Sequence, residues 1–233
     1  MIFVSNYFIR KLKEAVHFYI DGTFVYPNGF SQLLVILYRD VLNGKRFSGL
    51  FALINSKKEE GYTFLFRKIL FLPTIENTSN IKLESYTIYF EKALINNIHE
   101  VFKNIRQVGC YYHYTRKIRE KAIYYNLLKK DLKTDTNLLL KELYRMPFIY
   151  QKNRYILDTI RINYSKNNKI YEQFLDYFET QWIPFFENGL LNYHYLAKEK
   201  TPNSYIGNYN RRIKLKLSRY LFIKNHCKIS LLN

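Results

Sequence analysis

Cysteine is nearly absent from these 233 residues, with Cys110 and Cys227 the only two. One bridge is the most they can form, which excludes a disulfide scaffold and makes a reducing, intracellular compartment the expectation, the nucleus if the source is eukaryotic. Glycine (8) and proline (5) are also scarce, which excludes collagen-like and low-complexity chains. No run of about 18 uncharged apolar residues occurs, so no membrane span is expected. The opening residues, Met1 to Val16, carry Arg10, Lys11, Lys13 and Glu14 among apolar positions and lack a small-residue cleavage site. They do not read as a secretory signal; they read as a short helix or as the cut edge of a longer protein. Acidic residues are the last shortage: 19 Asp+Glu face 37 Lys+Arg, a formal net charge of +18.

What is present is apolar and aromatic. Hydrophobic residues make up 48% of the chain, including 23 Tyr and 18 Phe, which excludes intrinsic disorder. The length suits one large domain or two small ones with a full core. The basic excess points to a polyanionic partner, nucleic acid first and an acidic membrane surface second. AT-rich coding yields the same Lys, Asn, Ile, Tyr and Phe set without selection for binding. The charge is spread along the chain rather than gathered in a tail.

The first third is strand-like. Ala15 to Ile20 is a β-prone run that ends at the turn dipeptide Asp21-Gly22. Pro27-Asn28-Gly29 marks a second turn. Gln32 to Tyr38 (QLLVILY) is the continuous apolar run of a strand buried on both faces. Asn43-Gly44-Lys45 is a third turn, and Phe47 to Ile54 a third strand. Ser56 and Glu59 have capping-box spacing and predict a helix that Pro73 ends, followed by a polar loop over 74–81. Lys82 to Phe90 is a fourth strand. Leu94, Ile98, Val101 and Phe102 form one helical stripe, and Gln107 to Tyr112 is a fifth strand. From Thr115 to about residue 200 the pattern is helical. Tyr171, Phe174, Leu175, Phe178 and Trp182 make a core-facing stripe that Pro184 is expected to stop. The expected organisation is an N-terminal helix or truncated edge (1–14), an α/β core (15–114), a helical insertion (115–200) and a basic C-terminal segment completing the core (201–233).

Three antiparallel strands followed by two further strands, with an all-α insertion before a last catalytic helix, fit the mixed sheet of the ribonuclease H-like fold. Such sites hold two metal ions about 3.5–4 Å apart on carboxylates, which activate a water or a 3′-hydroxyl for in-line attack on a phosphodiester. Particular residues narrow the reading. FYIDGTFVYPNGFSQLLVI (18–36) resembles the opening of the catalytic domain of Mutator-like element (MULE) transposases: an Asp-Gly-Thr-Phe turn, a Pro, and a Gln before an apolar strand. FALINSKKEEGYTFLFRKI (51–69) is similar to the family's next strand and its helix with a Tyr near the start. YFEKALINNIHEVF (89–102) resembles its Asp-Phe-Glu-x-Ala segment, and GCYYHYTRKIREK (109–121) its Gly-Cys-x-x-His segment. YFETQWI (177–183) and NSYIGNYNRRIK (203–214) are similar to its later signatures, so the resemblance spans about residues 15–215.

The resemblance implies a DDE/D transposase using Mg²⁺ or Mn²⁺, with DNA as partner, no small-molecule cofactor, and a second copy or the parent element's transposase as candidate protein partners. Asp21 takes the first carboxylate position. The second should be an Asp where this chain has Tyr89, and the third a Glu where the best register puts Gly207. A phenol is a poor Mg²⁺ ligand at neutral pH and glycine has no side-chain ligand, so the resemblance implies a degenerate centre with residual DNA binding, Asp21 at most a weak metal ligand. Two other readings stand beside it. An active nuclease or transposase could recruit Glu91, Glu84, Glu172, Glu179 or Glu187. A non-enzymatic domesticated protein could bind DNA or a protein through its helical block.

Cys110 and His113 are the Cys-His pair of the family signature. They could furnish half a zinc site, with His226-Cys227 the other half, although a buried thiol beside a satisfied imidazole is the commoner outcome. Arg211, Arg212, Lys214, Lys216 and Arg219, with Lys224 and Lys228 beyond, form the densest basic stretch, with Tyr209 and Tyr220 among them. They are candidates for phosphate contact and base stacking, or for a solvated helix face over inward Ile213, Leu217 and Leu221. His17, His99 and His194 stand isolated and read as structural or solvated. No zinc-binding recognition module is visible beside the core, so the chain reads as a catalytic core alone.

Overall fold

The computed structural model describes residues 1–4, 6–12, 14–23, 30–40, 44–70, 82–102, 104–149, 153–165 and 168–194. These fall into two compact units, one over Met1–Gln107 and one beginning at Val108. The Pro27-Asn28-Gly29 turn, Pro73, loop 74–81, Gly207, the basic stretch from Arg211 to Lys228 and the His226-Cys227 pair lie outside the described residues.

The first unit contains strands β1 (Ile2–Val4), β2 (His17–Thr23), β3 (Gln32–Arg39), β4 (Arg46–Ile54) and β5 (Ser85–Ile88), with helices α1 (Asn6–Leu12), α2 (Glu59–Leu70) and α3 (Lys92–Val101). A sixth strand, β6 (Arg106–Gly109), completes the sheet. The order is β1-β4-β3-β2-β5-β6. β2 runs antiparallel to β3, β3 to β4 and β4 to β1, whereas β2 and β5 are parallel. This is a mixed α/β sheet of the ribonuclease H-like kind. Among the described residues it has six strands where the sequence suggested five. The extra one is three residues long and is defined by pairing with β4 rather than by any pattern of its own.

The apolar run of β3 is continuous because both faces of the sheet are covered there. Leu34 and Ile36 join Phe18, Ile20, Leu50, Tyr62, Phe66, Leu94 and Ile98 in the larger core. Val35 and Leu37 face the opposite side with Tyr19 and Leu33. Burying a side chain of this size stabilises by about 1.5–3 kcal/mol before the cost of ordering the chain is counted.

Asp21-Gly22 is not a turn: both residues lie inside β2, opposite Val35 and Leu34. Glycine is needed there for close approach, since a Cβ on Gly22 would fall 1.4 Å from the Gln32 side-chain nitrogen and 2.9 Å from the Tyr89 hydroxyl. A true turn glycine is Gly44, with φ +65°. It closes the β3–β4 hairpin, where Asp40 N–H bonds the Lys45 carbonyl at 2.8 Å. Ser56 does not form the expected capping box. Its Oγ accepts from the Lys58 N–H at 3.2 Å, one residue short, and α2 starts at Glu59. Glu59 and Glu60 in the first turn and Arg67 and Lys68 in the last still suit the helix dipole.

The second unit is helical: α4 (Tyr111–Tyr124), α5 (Lys133–Arg145), a short 3₁₀ turn (Met146–Phe148), α6 (Asn153–Ser165) and α7 (Lys169–Glu187). Helix begins four residues before Thr115, so the fifth sequence-predicted strand is shortened to Arg106–Gly109. Asn168 caps α7, its Oδ1 accepting from the Ile170 N–H at 3.0 Å. The aromatic stripe of α7 is core, with Phe174, Phe178 and Trp182 buried and Trp182 meeting Tyr114 edge-on at 4.9 Å. Pro184 lies inside α7 rather than ending it. Pro184 and Thr180 are on the exposed side, so the carbonyl that loses its partner meets solvent while Ile183 and Phe186 stay buried. Gly109 ties the start of this unit to its end: its N–H bonds the Leu190 carbonyl at 2.8 Å and its carbonyl accepts from the Tyr193 hydroxyl. Among the described residues no helix is long and apolar enough to cross a membrane.

Candidate active site

The parallel ladder between β2 and β5 ends at the pair Ile20–Ile88. One residue further along stand Asp21 on β2 and Tyr89 just past β5. Asp21 is buried, and its Oδ1 accepts from the Gly22 N–H at 2.9 Å.

The Tyr89 hydroxyl is held by three side chains, Gln32 on β3, Tyr62 on α2 and Glu91 just before α3. It receives a hydrogen bond from Gln32 Nε2 at 2.5 Å, donates to Glu91 Oε2 at 2.8 Å, and lies 3.2 Å from the Tyr62 hydroxyl. Tyr62, on the buried face of α2, also reaches Glu91 Oε1 at 2.7 Å and Gln32 Oε1 at 2.9 Å. Glu91 precedes α3 with extended backbone and makes no side-chain cap. Its two carboxylate oxygens are taken by the two phenols instead. A helix starting at Lys92 therefore does not part Glu91 from Tyr89; the extended residue before the helix keeps them together.

Burial drives the Tyr89 pKa well above the ordinary phenol value, and the neighbouring Tyr62 adds to it. Tyr62 moves the same way, mainly by burial, with Glu91 also raising it. Both phenols are protonated at neutral pH and act as donors to Glu91. Protonated phenols are not Mg²⁺ ligands, and a carboxylate whose oxygens already accept two O–H bonds has limited capacity for a hard cation. Among the described residues no group of three or more His, Cys, Asp or Glu could hold a metal ion. The described donors therefore do not fit a two-ion centre.

The other candidates lie elsewhere. Glu84 uses its backbone to join β5 to its neighbours, its N–H bonding Val16 and its carbonyl accepting from Arg106. Glu179 pairs with Arg154 and Arg161, and Glu187 with Arg154. Glu172 is exposed in the first turn of α7. Cys110 is buried immediately before α4, and His113 sits in the first turn of that helix. Burial, then Arg116 and Lys117, lower the His113 pKa to about 4, so its ring is neutral. His17 is buried between two hydroxyls, Nδ1 2.6 Å from Ser85 Oγ and Nε2 2.8 Å from Thr87 Oγ1. Its pKa falls to about 3 through burial, then Arg39 and Arg46.

Gln32 and Tyr62 are the site residues that sequence reasoning did not assign a role. The signal for them was present as landmarks, a Gln before the apolar strand and a Tyr near the start of a helix. What the linear order could not convey is that both converge on position 89. Compared with known proteins, residues 17–117 match the family model of the MULE transposase domain. No curated protein matches the chain.

Proposed function

We propose, taking residues 17–117 as a MULE transposase domain, that this chain is a transposase derivative whose centre is no longer furnished for two-metal phosphodiester chemistry and whose retained capacity is DNA binding. The observation that carries the reading is the capture of Tyr89. At the position where the family places a metal-binding aspartate, this chain has a protonated phenol secured by Gln32, Tyr62 and Glu91. Gly207 at the third position offers no replacement in the sequence. Two-metal catalysis stabilises charge on the attacking and leaving oxygens, and one carboxylate, Asp21, does not anchor two ions. We read the helical stretch that begins at about residue 115, described as far as residue 194, as an insertion on the α/β core. DNA binding is supported by the formal charge of +18 and by the family.

The test is nicking and strand transfer by the full chain with Mg²⁺ and with Mn²⁺. The expected result is no metal-dependent product above background. Robust cleavage that Asp21→Ala abolishes would overturn the reading and favour recruited carboxylates.

A further inference from the structure

The helical unit carries its charge unevenly. Between residues 111 and 133 the sequence has seven Lys/Arg and two acids; between 153 and 187 it has four and five. The structure gives the first of these segments an outward face. On α4, Tyr114, Ile118 and Ala122 are buried. Tyr112, Arg116, Arg119 and Ile123, at i, i+4, i+7 and i+11, form the exposed stripe, flanked by exposed Lys117 and Tyr124. The one acid of this helix, Glu120, bonds both Arg116 at 2.7 Å and Lys117 at 3.2 Å, with all three side chains well exposed. Exposed pairs of this kind contribute little and yield to a stronger anion. Arg119 neighbours the Tyr144 phenol, a neutral group. The contrast is α6, where Arg154 and Arg161 are each held by two acids of α7.

From this asymmetry we infer that the outer face of α4 is a contact surface for the phosphate backbone of duplex DNA. The inference rests on the DNA-binding reading above and assigns that binding a place. Charge complementarity selects the occupant. A fourteen-residue helix is about 21 Å long, enough to lie along several successive phosphates. An anionic bilayer is the poorer match, because a membrane-surface helix needs a broad apolar face to insert. The apolar face of α4 is buried in its own unit.

The experiment measures affinity of the full chain for a labelled random-sequence duplex across a salt series. One variant carries Arg116→Gln, Lys117→Gln and Arg119→Gln. A control removes three exposed cations elsewhere: Lys92→Gln, Lys141→Gln and Lys169→Gln. Log K for the parent chain falls with log salt by about 0.9 per phosphate contacted. The α4 variant should lower that slope by about 2–3 and weaken binding roughly 10-fold or more at moderate salt, while the control keeps the parent slope. Far-UV circular dichroism checks folding. If the triple variant does not fold, Lys117→Glu alone should still lower the slope by about 1. Salt-dependent binding with an unchanged slope in the α4 variants would overturn this surface and leave the DNA reading standing. No duplex binding by the parent chain, or binding only to acidic vesicles or an acidic protein, would overturn both.

Discussion

The hydroxyl of Tyr62 has one proton and three oxygen neighbours: Glu91 Oε1 at 2.7 Å, Gln32 Oε1 at 2.9 Å and the Tyr89 hydroxyl at 3.2 Å. It is the hub through which α2 meets the residues around Tyr89. Removing it by Tyr62→Phe leaves the Glu91 carboxylate oxygen short of its donor, and the expected cost is about 1–3 kcal/mol in urea unfolding. A fully solvated hydroxyl would register almost nothing. His17 makes a second residue-level prediction. Its folded pKa of about 3 lies below its ordinary 6.5, so the folded state prefers the neutral ring. The stability tied to that preference is complete above pH ~6.5 and is lost as pH falls toward ~3, at no more than about 1.4 kcal/mol per pH unit. His113 is shifted in the same direction and adds to the slope. Unfolding midpoints measured between pH ~6.5 and ~4 should drop for the parent chain and drop less for His17→Gln. At this scale the sequence was partly legible. That Tyr89 stands where the resemblance expects a carboxylate is read from a motif, because it concerns one position in a linear order. The closure of Gln32 and Tyr62 around it could not be read that way, because these partners are 57 and 27 residues away.

Elements were legible where a long apolar pattern outweighed local signals. β3, buried on both faces, and α7, buried along one, are such cases. The misreadings share one cause, a local rule overridden by packing. Asp-Gly suggests a turn, yet at 21–22 the missing Cβ makes room for Gln32. Proline suggests a helix end, yet at 184 the ring lies on the solvent side while the buried side of α7 continues to Phe186. That arrangement predicts that Pro184→Ala restores one main-chain bond without disturbing the core. Thermal melting should rise, corresponding to about 1–3 kcal/mol. An unchanged or lower midpoint would mean that the proline sets the direction in which the helix end leaves. β1 could not be foreseen, since three residues carry no periodicity and only the exposed edge of β4 gives them a partner.

At the scale of the whole molecule, charge is the dominant fact. A surplus of +18 on 233 residues opposes compaction by self-repulsion. Raising monovalent salt from ~50 to ~300 mM shortens the screening length about 2.5-fold, to roughly 6 Å, and should raise the melting temperature of the free chain. A fall would indicate that attractive surface pairs, such as those between α6 and α7, outweigh the repulsion. The bonds at Gly109 bear on how a chain of this kind is assembled. The strand that leads into the helices and the residues that follow them are fastened across 2.8 Å. The two ends of the helical segment are thus tied to each other within their own unit. Lengthening or shortening a connection inside it alters the closure entropy only logarithmically. A segment whose ends already meet keeps that junction when its inner loops grow or shrink.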